Sequence, residues 1–315
     1  MNKKCPYCEG TMTKYGKAGS GHQIWKCKSC KRKHIFSRKD LFEKSWKKKN
    51  KDVLLSNKRR GEYKYSRSTF YRHTKLLNLE RVILPPVTTT YNQIFLDGIK
   101  FEKDWHCLIA RVKEGPILFE FCTTESSKTW MHFLKKIQSP LYVTCDRHCG
   151  LEIAIKTLWN QTKVQTCLVH VHRDVNILLT KKPKTELGKK LKLLSIKMFS
   201  VQTEEDVDEW VKELSILSIQ YKKYLDERTY TPGTKRWHHT HQRDYRVINM
   251  FIKLQKRGVL FAYVYEKRFK IERDNNLLEG GINSPLKDLL GRHRGSSLER
   301  KCAIIEAYLL KRMKK

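Results

Sequence analysis

Between Tyr91 and Cys167 the chain carries a series of apolar, β-branched and aromatic runs whose order restricts the fold more than any other feature. The first three, Tyr91 to Ile99, Trp105 to Val112 and Ile117 to Cys122, are separated only by Lys103-Asp104 and Glu114-Gly115-Pro116. Breaks that short join antiparallel neighbours, so three consecutive antiparallel strands are predicted. From there the pattern alternates. Ser127 to Ile137 places Trp130, Phe133, Leu134 and Ile137 on one helix side, Leu141 to Cys145 reads as a strand, Leu151 to Trp159 as a helix and Val164 to Cys167 as a short strand. Three strands followed by alternation predict an α/β fold, a mixed sheet with helices on its faces.

Two of these strands carry an acid. Asp97 closes Ile94-Phe95-Leu96-Asp97 on the first, and Asp146 follows Leu141 to Cys145 at the carboxyl end of the fourth, where open α/β sheets place ligand sites. Adjacent strands lie ~5 Å apart, so both carboxylates can share one cation. A third acid, Glu279, stands in a helical pattern over Asn275 to Leu290. There Leu278, Ile282, Leu286, Leu289 and Leu290 recur at helical spacing, and Asn276, Glu279 and Asn283 share another face. Gly280, Gly281 and Pro285 are poor helix residues, which points to a cause other than helix stability, such as close approach of a nucleic-acid backbone. Singly, each aspartate has an ordinary explanation: Asp97-Gly98 is a common turn dipeptide and Asp146 is placed to cap a helix. Their joint occurrence at matching strand positions favours a shared role.

Charge gives that role a chemistry. The chain holds 66 Lys+Arg against 32 Asp+Glu, a formal net charge of +34. Carboxylates at strand ends in so basic a chain need an electrostatic reason, and magnesium or manganese, which take hard oxygen ligands, supply one. The net charge itself requires a polyanionic partner, DNA or RNA, bound through counterion release. Metal-assisted phosphoryl transfer on nucleic acid joins the two observations. A membrane is the competing partner, but there is no run of 18 apolar residues and no basic-then-apolar leader, so a soluble intracellular protein is expected.

Cys5-Pro6-Tyr7-Cys8 and Cys27-Lys28-Ser29-Cys30 are two Cys-x2-Cys knuckles with 18 residues between them, the spacing of a structural four-thiolate zinc site. Gly16, Gly19 and Gly21 interrupt the intervening chain and Ile24-Trp25 precede the second knuckle, so a β-ribbon over residues 1–39 is expected, tied by zinc because it is too small to hold a core alone. Residues 40–84 alternate basic and apolar positions. In Ser66 to Leu77 the serines stand at a plausible N-cap, Phe70, Leu76 and Leu77 face inward and Arg67, Arg72 and Lys75 outward, which fits the DNA-reading helix of a helix-turn-helix and equally an amphipathic surface helix. Leu84-Pro85-Pro86 then starts an extended linker.

Residues 181–270 read as an all-helical insertion between the first part of the core, 91–180, and its C-terminal helices, 271–315. Thr203-Glu204-Glu205-Asp206 is a capped start for the stripe Val207, Trp210, Val211, Leu214, Leu217, Tyr221 and Leu225. Trp237-His238-His239-Thr240-His241 reads as a loop in which Trp237 is positioned to stack on a displaced base; metal binding by the histidines is the weaker reading. Arg292 and Arg294 flank His293 in a basic turn suited to phosphate contacts or simply solvated. Cys167 and His170 are three residues apart, and buried packing and hydrogen bonding near the acids is favoured over a two-ligand metal site.

Taken in order, the zinc module, the helix-turn-helix, Asp97-Gly98, Asp146, Cys167-Leu168-Val169-His170 and Asn275-Asn276-Leu277-Leu278-Glu279-Gly280, with Leu286-Lys287 and His293 to Gly295 behind, resemble the Mutator-like transposases of bacterial insertion sequences. The resemblance implies a ribonuclease-H-like core, catalytic carboxylates Asp97, Asp146 and Glu279 using two magnesium ions, and cleavage and strand transfer at DNA ends; Cys167, His170 and Asn276 are expected, from their own positions, to support that site. It also implies a homodimer or larger assembly on DNA in the bacterial cytoplasm, with the nucleoid. The rival is a domesticated, inactive copy that keeps only the DNA-binding parts as a regulator.

Overall fold

The computed structural model describes residues 3–19, 21–36, 55, 66, 68, 82–276 and 279–313, the side chain of Glu279 excepted. The expected helix-turn-helix, with Arg67, Arg72 and Lys75, lies outside the described residues. The chain divides into two compact units, Met1–Glu80 and Arg81–Lys315.

In the first unit, strands β1 (Lys3–Lys4), β2 (Thr11–Lys17), β3 (Gln23–Cys27) and β4 (Lys33–Ile35) form an antiparallel sheet in chain order, the ribbon that the glycines and knuckles predict. Its interior is small. Among the described residues Cys5, Met12 and Cys27 are buried in it, with Trp25, Cys30 and Phe36 packed alongside.

The second unit is built on five strands: β5 (Gln93–Glu102), β6 (Trp105–Val112), β7 (Gly115–Cys122), β8 (Tyr142–Cys145) and β9 (Lys163–Thr166). Their order in the sheet is β7-β6-β5-β8-β9. The first three pair antiparallel as consecutive hairpin strands, while β8 and β9 join parallel to β5, each after a helical crossover. The helices are α1 (Ser127–Leu134) and α2 (Cys149–Leu158). Period-2 alternation explains the layer between them and the sheet: Ile94, Leu96, Leu108, Ala110 and Val143 meet Trp130, Phe133, Leu151 and Ala154. The prolines at 85 and 86 do begin an extended stretch, and it is docked on this unit through Val87, whose amide donates to Lys136 O at 2.7 Å.

After β9 the chain leaves the sheet and builds a second core. Helices α3 (Leu168–Leu179), α4 (Glu186–Lys197), α5 (Glu204–Gln220), α6 (Lys222–Asp226) and α7 (Gln242–Lys256) bury Leu191, Trp210, Leu214, Phe251 and Phe261 together. Trp210 sits at its centre, 5.4 Å from Phe251 and 5.1 Å from Phe261 between ring centroids, with Nε1 donating to Leu194 O. The capped start at Thr203 is a reciprocal capping box with Asp206. Two expectations need correction. The apolar stripe is not one helix, because Tyr221 ends α5 and Leu225 belongs to α6. Nor is the insertion wholly helical: Trp237 lies not in a loop but in strand β11 (Trp237–His239), paired antiparallel with β10 (Arg228–Tyr230) across a turn that contains Pro232-Gly233.

The chain then returns along the sheet. Glu272 exchanges hydrogen bonds with Gln93 (Glu272 N to Gln93 Oε1, 3.0 Å; Gln93 Nε2 to Glu272 O, 2.8 Å). A π-helical turn, Glu279–Asn283, leads into α8 (Ser284–Arg292) and then α9 (Leu298–Arg312). Pro285 therefore occupies the first turn of a new helix, where it is tolerated, rather than the middle of a long one.

Candidate active site and metal centres

The four knuckle cysteines converge. Their sulfurs all lie within 4.8 Å of one another, with Cys5 Sγ to Cys30 Sγ at 3.6 Å and Cys8 Sγ to Cys27 Sγ at 3.5 Å. Tetrahedral zinc with ~2.3 Å bonds sets sulfurs ~3.8 Å apart, so the cluster has the dimensions of a zinc site. Among the described residues it is the one group of three or more His, Cys, Asp or Glu side chains gathered tightly enough to hold a metal ion. Local sequence explains the convergence. Glu9 and Lys31, each directly after a knuckle, adopt left-handed φ of 58° and 59°, so both knuckles turn alike. Gly10 lets them meet, because a Cβ there would stand 2.5 Å from Ser29 Oγ. Burial opposes ionisation of Cys27, but the amides of Cys30 and Ser29 and the Cys8 thiol outweigh it and bring its pKa to about 6. Cys30 is pushed up to about 12 by burial and by its three neighbouring thiols, against the Arg32 amide. A divalent cation is what allows all four to ionise together.

The acid edge of the sheet is assembled from much further apart. Asp97 is 5% exposed in the middle of β5, opposite Ile109 of β6, and Asp97-Gly98 is not a turn. In the parallel pair, Leu96 lies opposite Cys145, so the next residue along each chain, Asp97 and Asp146, stands at the same level. Asp97 Oδ1 accepts from the Gly98 amide at 2.9 Å and Oδ2 from Asn283 Nδ2 at 2.6 Å. Asn283 closes the π-turn that Glu279 opens, so the element bearing the third acid is brought to Asp97 even though the Glu279 side chain lies outside the described residues. Such turns insert a residue into a helix and occur frequently at functional sites.

Asp146 follows β8 and does not cap α2; its Oδ1 accepts from the His148 amide at 3.3 Å, and His148 is the N-cap. Burial holds its carboxyl above the ordinary value of 3.8, opposed by the charge of His170 and the His148 amide and reinforced by the charge of Glu125. Cys167 is the N-cap of α3, fully buried, and its sulfur accepts from the Asn275 amide at 3.1 Å. Burial raises its pKa to about 11 against the Asn275, His170 and Val169 amides, so it is a thiol at neutral pH. His170 lies in the first turn of α3.

Sequence reasoning named Asn276, which is exposed with its amide on Asp274 Oδ1 at 3.0 Å. The buried amide side chain is its neighbour Asn275, whose Nδ2 donates to Leu96 O at 3.1 Å, one residue before Asp97. Glu125, between β7 and α1, was missed entirely. It lies against Gly98 and is bonded to His106 Nδ1 at 2.7 Å.

The remaining candidates lie elsewhere. Trp237 is 44% exposed, with the Arg228 guanidinium 4.0 Å over its ring. His239 stacks on Tyr245 and bonds Leu225 O at 2.9 Å, and His241 stacks on Tyr224 and pairs with Glu227 at 2.9 Å, so both serve to anchor the hairpin. His238 is exposed opposite Thr229. Arg292 ends α8 and Arg294 follows in the turn, both exposed.

Residues 115–230 match the family model described as Transposase, Mutator family. The match supports a Mutator-like transposase, and that family implies transposase function and DNA binding. It spans Asp146, Cys167 and His170 but neither Asp97 nor Glu279. No curated protein matches the chain. Among the described residues no helix is long and apolar enough to cross a membrane.

Proposed function

We propose that the chain is a DNA transposase that binds element ends and catalyses strand cleavage and strand transfer at the acid edge of a ribonuclease-H-like sheet, with Asp97, Asp146 and Glu279 as its carboxylates. The observation that carries this reading is the parallel register that pairs Leu96 with Cys145, so that Asp97 and Asp146 each directly follow a paired residue, with Asn283 of the Glu279-bearing turn bonded to Asp97. The β7-β6-β5-β8-β9 order, three antiparallel strands extended by two parallel ones, supports the fold assignment.

The residues fit magnesium or manganese. The donors are carboxylate oxygens, each with more than one lone pair, and Asp97 Oδ1 and Oδ2 accept from the Gly98 amide and Asn283. Asp146 carries a burial penalty on its ionised form that a neighbouring cation removes. Such ions supply Lewis-acid stabilisation of phosphoryl oxygens and a more acidic attacking hydroxyl. Asn283 holds the Asp97 carboxylate in one orientation, the His148 amide does the same for Asp146, and the buried sheet keeps both strands rigid. The basic surface binds the DNA backbone, and a homodimer or larger assembly on DNA brings two ends together.

The test is incubation of an end-bearing DNA with the protein and magnesium, scored for nicked and joined products. Asp97→Asn, Asp146→Asn and Glu279→Gln should each lower product formation by at least ~10³-fold while DNA affinity stays within about twofold. Full activity in any one of them removes that residue from the set; DNA binding without products in the unmutated protein establishes the regulator instead.

A further inference from the structure

Strand β7 runs antiparallel to β6, which runs antiparallel to β5, so the carboxyl ends of β5, β7 and β8 share one edge of the sheet. Glu125 lies three residues beyond the end of β7, on that edge. Its position is fixed by close packing. A Cβ on Gly98 would stand 2.4 Å from Glu125 Oε1, 2.6 Å from its Cδ and 2.7 Å from Oε2, so the whole carboxylate rests on the backbone of the residue after Asp97. A Cβ on Gly150, at the start of α2, would stand 2.6 Å from the Glu125 carbonyl oxygen and 3.0 Å from the Ser127 amide nitrogen. Glycine therefore admits this segment on both sides, once beside Asp97 and once four residues after Asp146.

Capping does not account for the carboxylate, since Ser126 is the N-cap of α1 and accepts from the Thr129 amide. Nor does a surface ion pair. The side chain is 15% exposed, and its ion-pair partners among the described residues are both histidines: His106 Nδ1 at 2.7 Å and His148 Nε2 at 4.0 Å. His148 in turn donates its amide to Asp146 Oδ1. An unbroken series of contacts thus runs from Gly98 through Glu125 and His148 to Asp146.

We propose that Glu125 is a positioning residue of the acid edge: it couples the strand bearing Asp97 to the turn bearing Asp146 and thereby sets how tightly that edge holds a divalent cation. This rests on the acid edge being a cation site. Residues that orient metal ligands through hydrogen bonds typically contribute 10- to 100-fold to metal affinity, roughly the effect expected here.

The experiment is a manganese titration of the zinc-loaded full chain without DNA, followed by calorimetry, for the unmutated protein and for Asp97→Asn, Glu125→Ala, Glu125→Gln and Gly98→Ala. The unmutated protein should bind manganese and Asp97→Asn should not. Glu125→Ala should bind about 10- to 100-fold more weakly with thermal midpoint and DNA affinity unchanged, and Gly98→Ala, which displaces the carboxylate without removing it, should follow. Glu125→Gln keeps the shape and a contact to His106 and should fall in between. Unaltered manganese affinity in both Glu125 variants overturns the proposal and leaves the acid edge standing. Weakened affinity that only tracks a lowered thermal midpoint in both assigns Glu125 to stability and overturns it too. Failure of the unmutated protein to bind manganese removes the cation site itself.

Discussion

In the N-terminal unit two knuckles close on each other across one short ribbon, and among the described residues the sulfurs meet with almost no apolar core beneath them. At the acid edge the participants come from β5, from the end of β8 and from a turn beginning at Glu279, and a large sheet-and-helix core lies under them. On the proposed reading of the acid edge as a cation site, the difference concerns what a metal is for. Where the core is too small, ligation must supply the folding free energy; where the core is ample, the fold can afford charged groups whose service is chemical.

The largest expected effect breaks the comparison if it fails. Chelating zinc, or replacing Cys5 and Cys27 by serine, should unfold the ribbon, since structural zinc contributes on the order of 10 kcal/mol in small modules. The second unit should keep its thermal midpoint, because its cores contain none of these cysteines. Calorimetry resolving two transitions checks this: loss of the first alone supports the contrast, and loss of both, or neither, ends it.

A smaller effect tests the long-range assembly of the acid edge. Asn275→Ala removes the bond to Leu96 O and leaves that buried carbonyl without this donor, which should cost about 1–3 kcal/mol in the second unit. It should also loosen the return of the Glu279 turn, so cleavage should fall by more than the lost stability explains. Denaturant unfolding together with the cleavage assay separates the two. If only stability changes, Asn275 is a packing residue with no bearing on the acids.

How much of this was legible follows the same division. The ribbon was readable because its ligands are three residues apart within each knuckle, and tetrahedral geometry does the rest. Strand β5, which bears Asp97, and β8, which Asp146 follows, were readable because strands covered on both sheet faces carry near-continuous apolar runs such as Ile94-Phe95-Leu96. Glu125 was not, since Thr123-Thr124-Glu125-Ser126-Ser127 looks like any polar connection. Its signal lay in distant glycines, Gly98 and Gly150, whose missing side chains mean nothing until the fold brings them together. Asn275 and Asn276 were indistinguishable for a similar reason: which of two adjacent amides turns inward depends on how the return segment meets β5. The β10–β11 hairpin had a Pro232-Gly233 turn signal, but the flanking strands are only three residues long, too short for an alternation to show.

Acidity offers a third test of the acid edge, in the opposite direction from the usual one for a carboxylate. Asp146 is held above its ordinary 3.8 chiefly by burial, so the folded state binds its proton more tightly than the unfolded chain does. Stability from this group is then present at low pH and falls as pH rises past about 4, the reverse of a salt-bridged aspartate. Asp146→Asn should consequently raise the thermal midpoint at neutral pH in the absence of divalent cations, with the gain fading as pH is lowered toward 4. Added magnesium should raise the midpoint of the unmutated protein and not that of the variant. A destabilised Asp146→Asn at neutral pH would mean that the carboxylate is satisfied without a cation.

The smallest effect returns to the ribbon, where strain is stored in the backbone rather than in charge. Lys31 holds a left-handed φ of 59°, a conformation costing a side-chain-bearing residue about 1–2 kcal/mol, while glycine there loses roughly 0.5–1 kcal/mol of that advantage to chain entropy. Lys31→Gly should therefore stabilise the zinc-loaded ribbon by about 0.5 kcal/mol and leave the second unit unchanged, measured as a shift of the first transition alone. Glu9→Gly, at the matching position of the other knuckle, should give a gain of the same sign. With zinc removed neither substitution should help, because an unfolded ribbon has no turn to relax. A gain that persists without metal would show that the knuckles form before zinc binds, and the ribbon would then share with the acid edge a fold that stands without its ion.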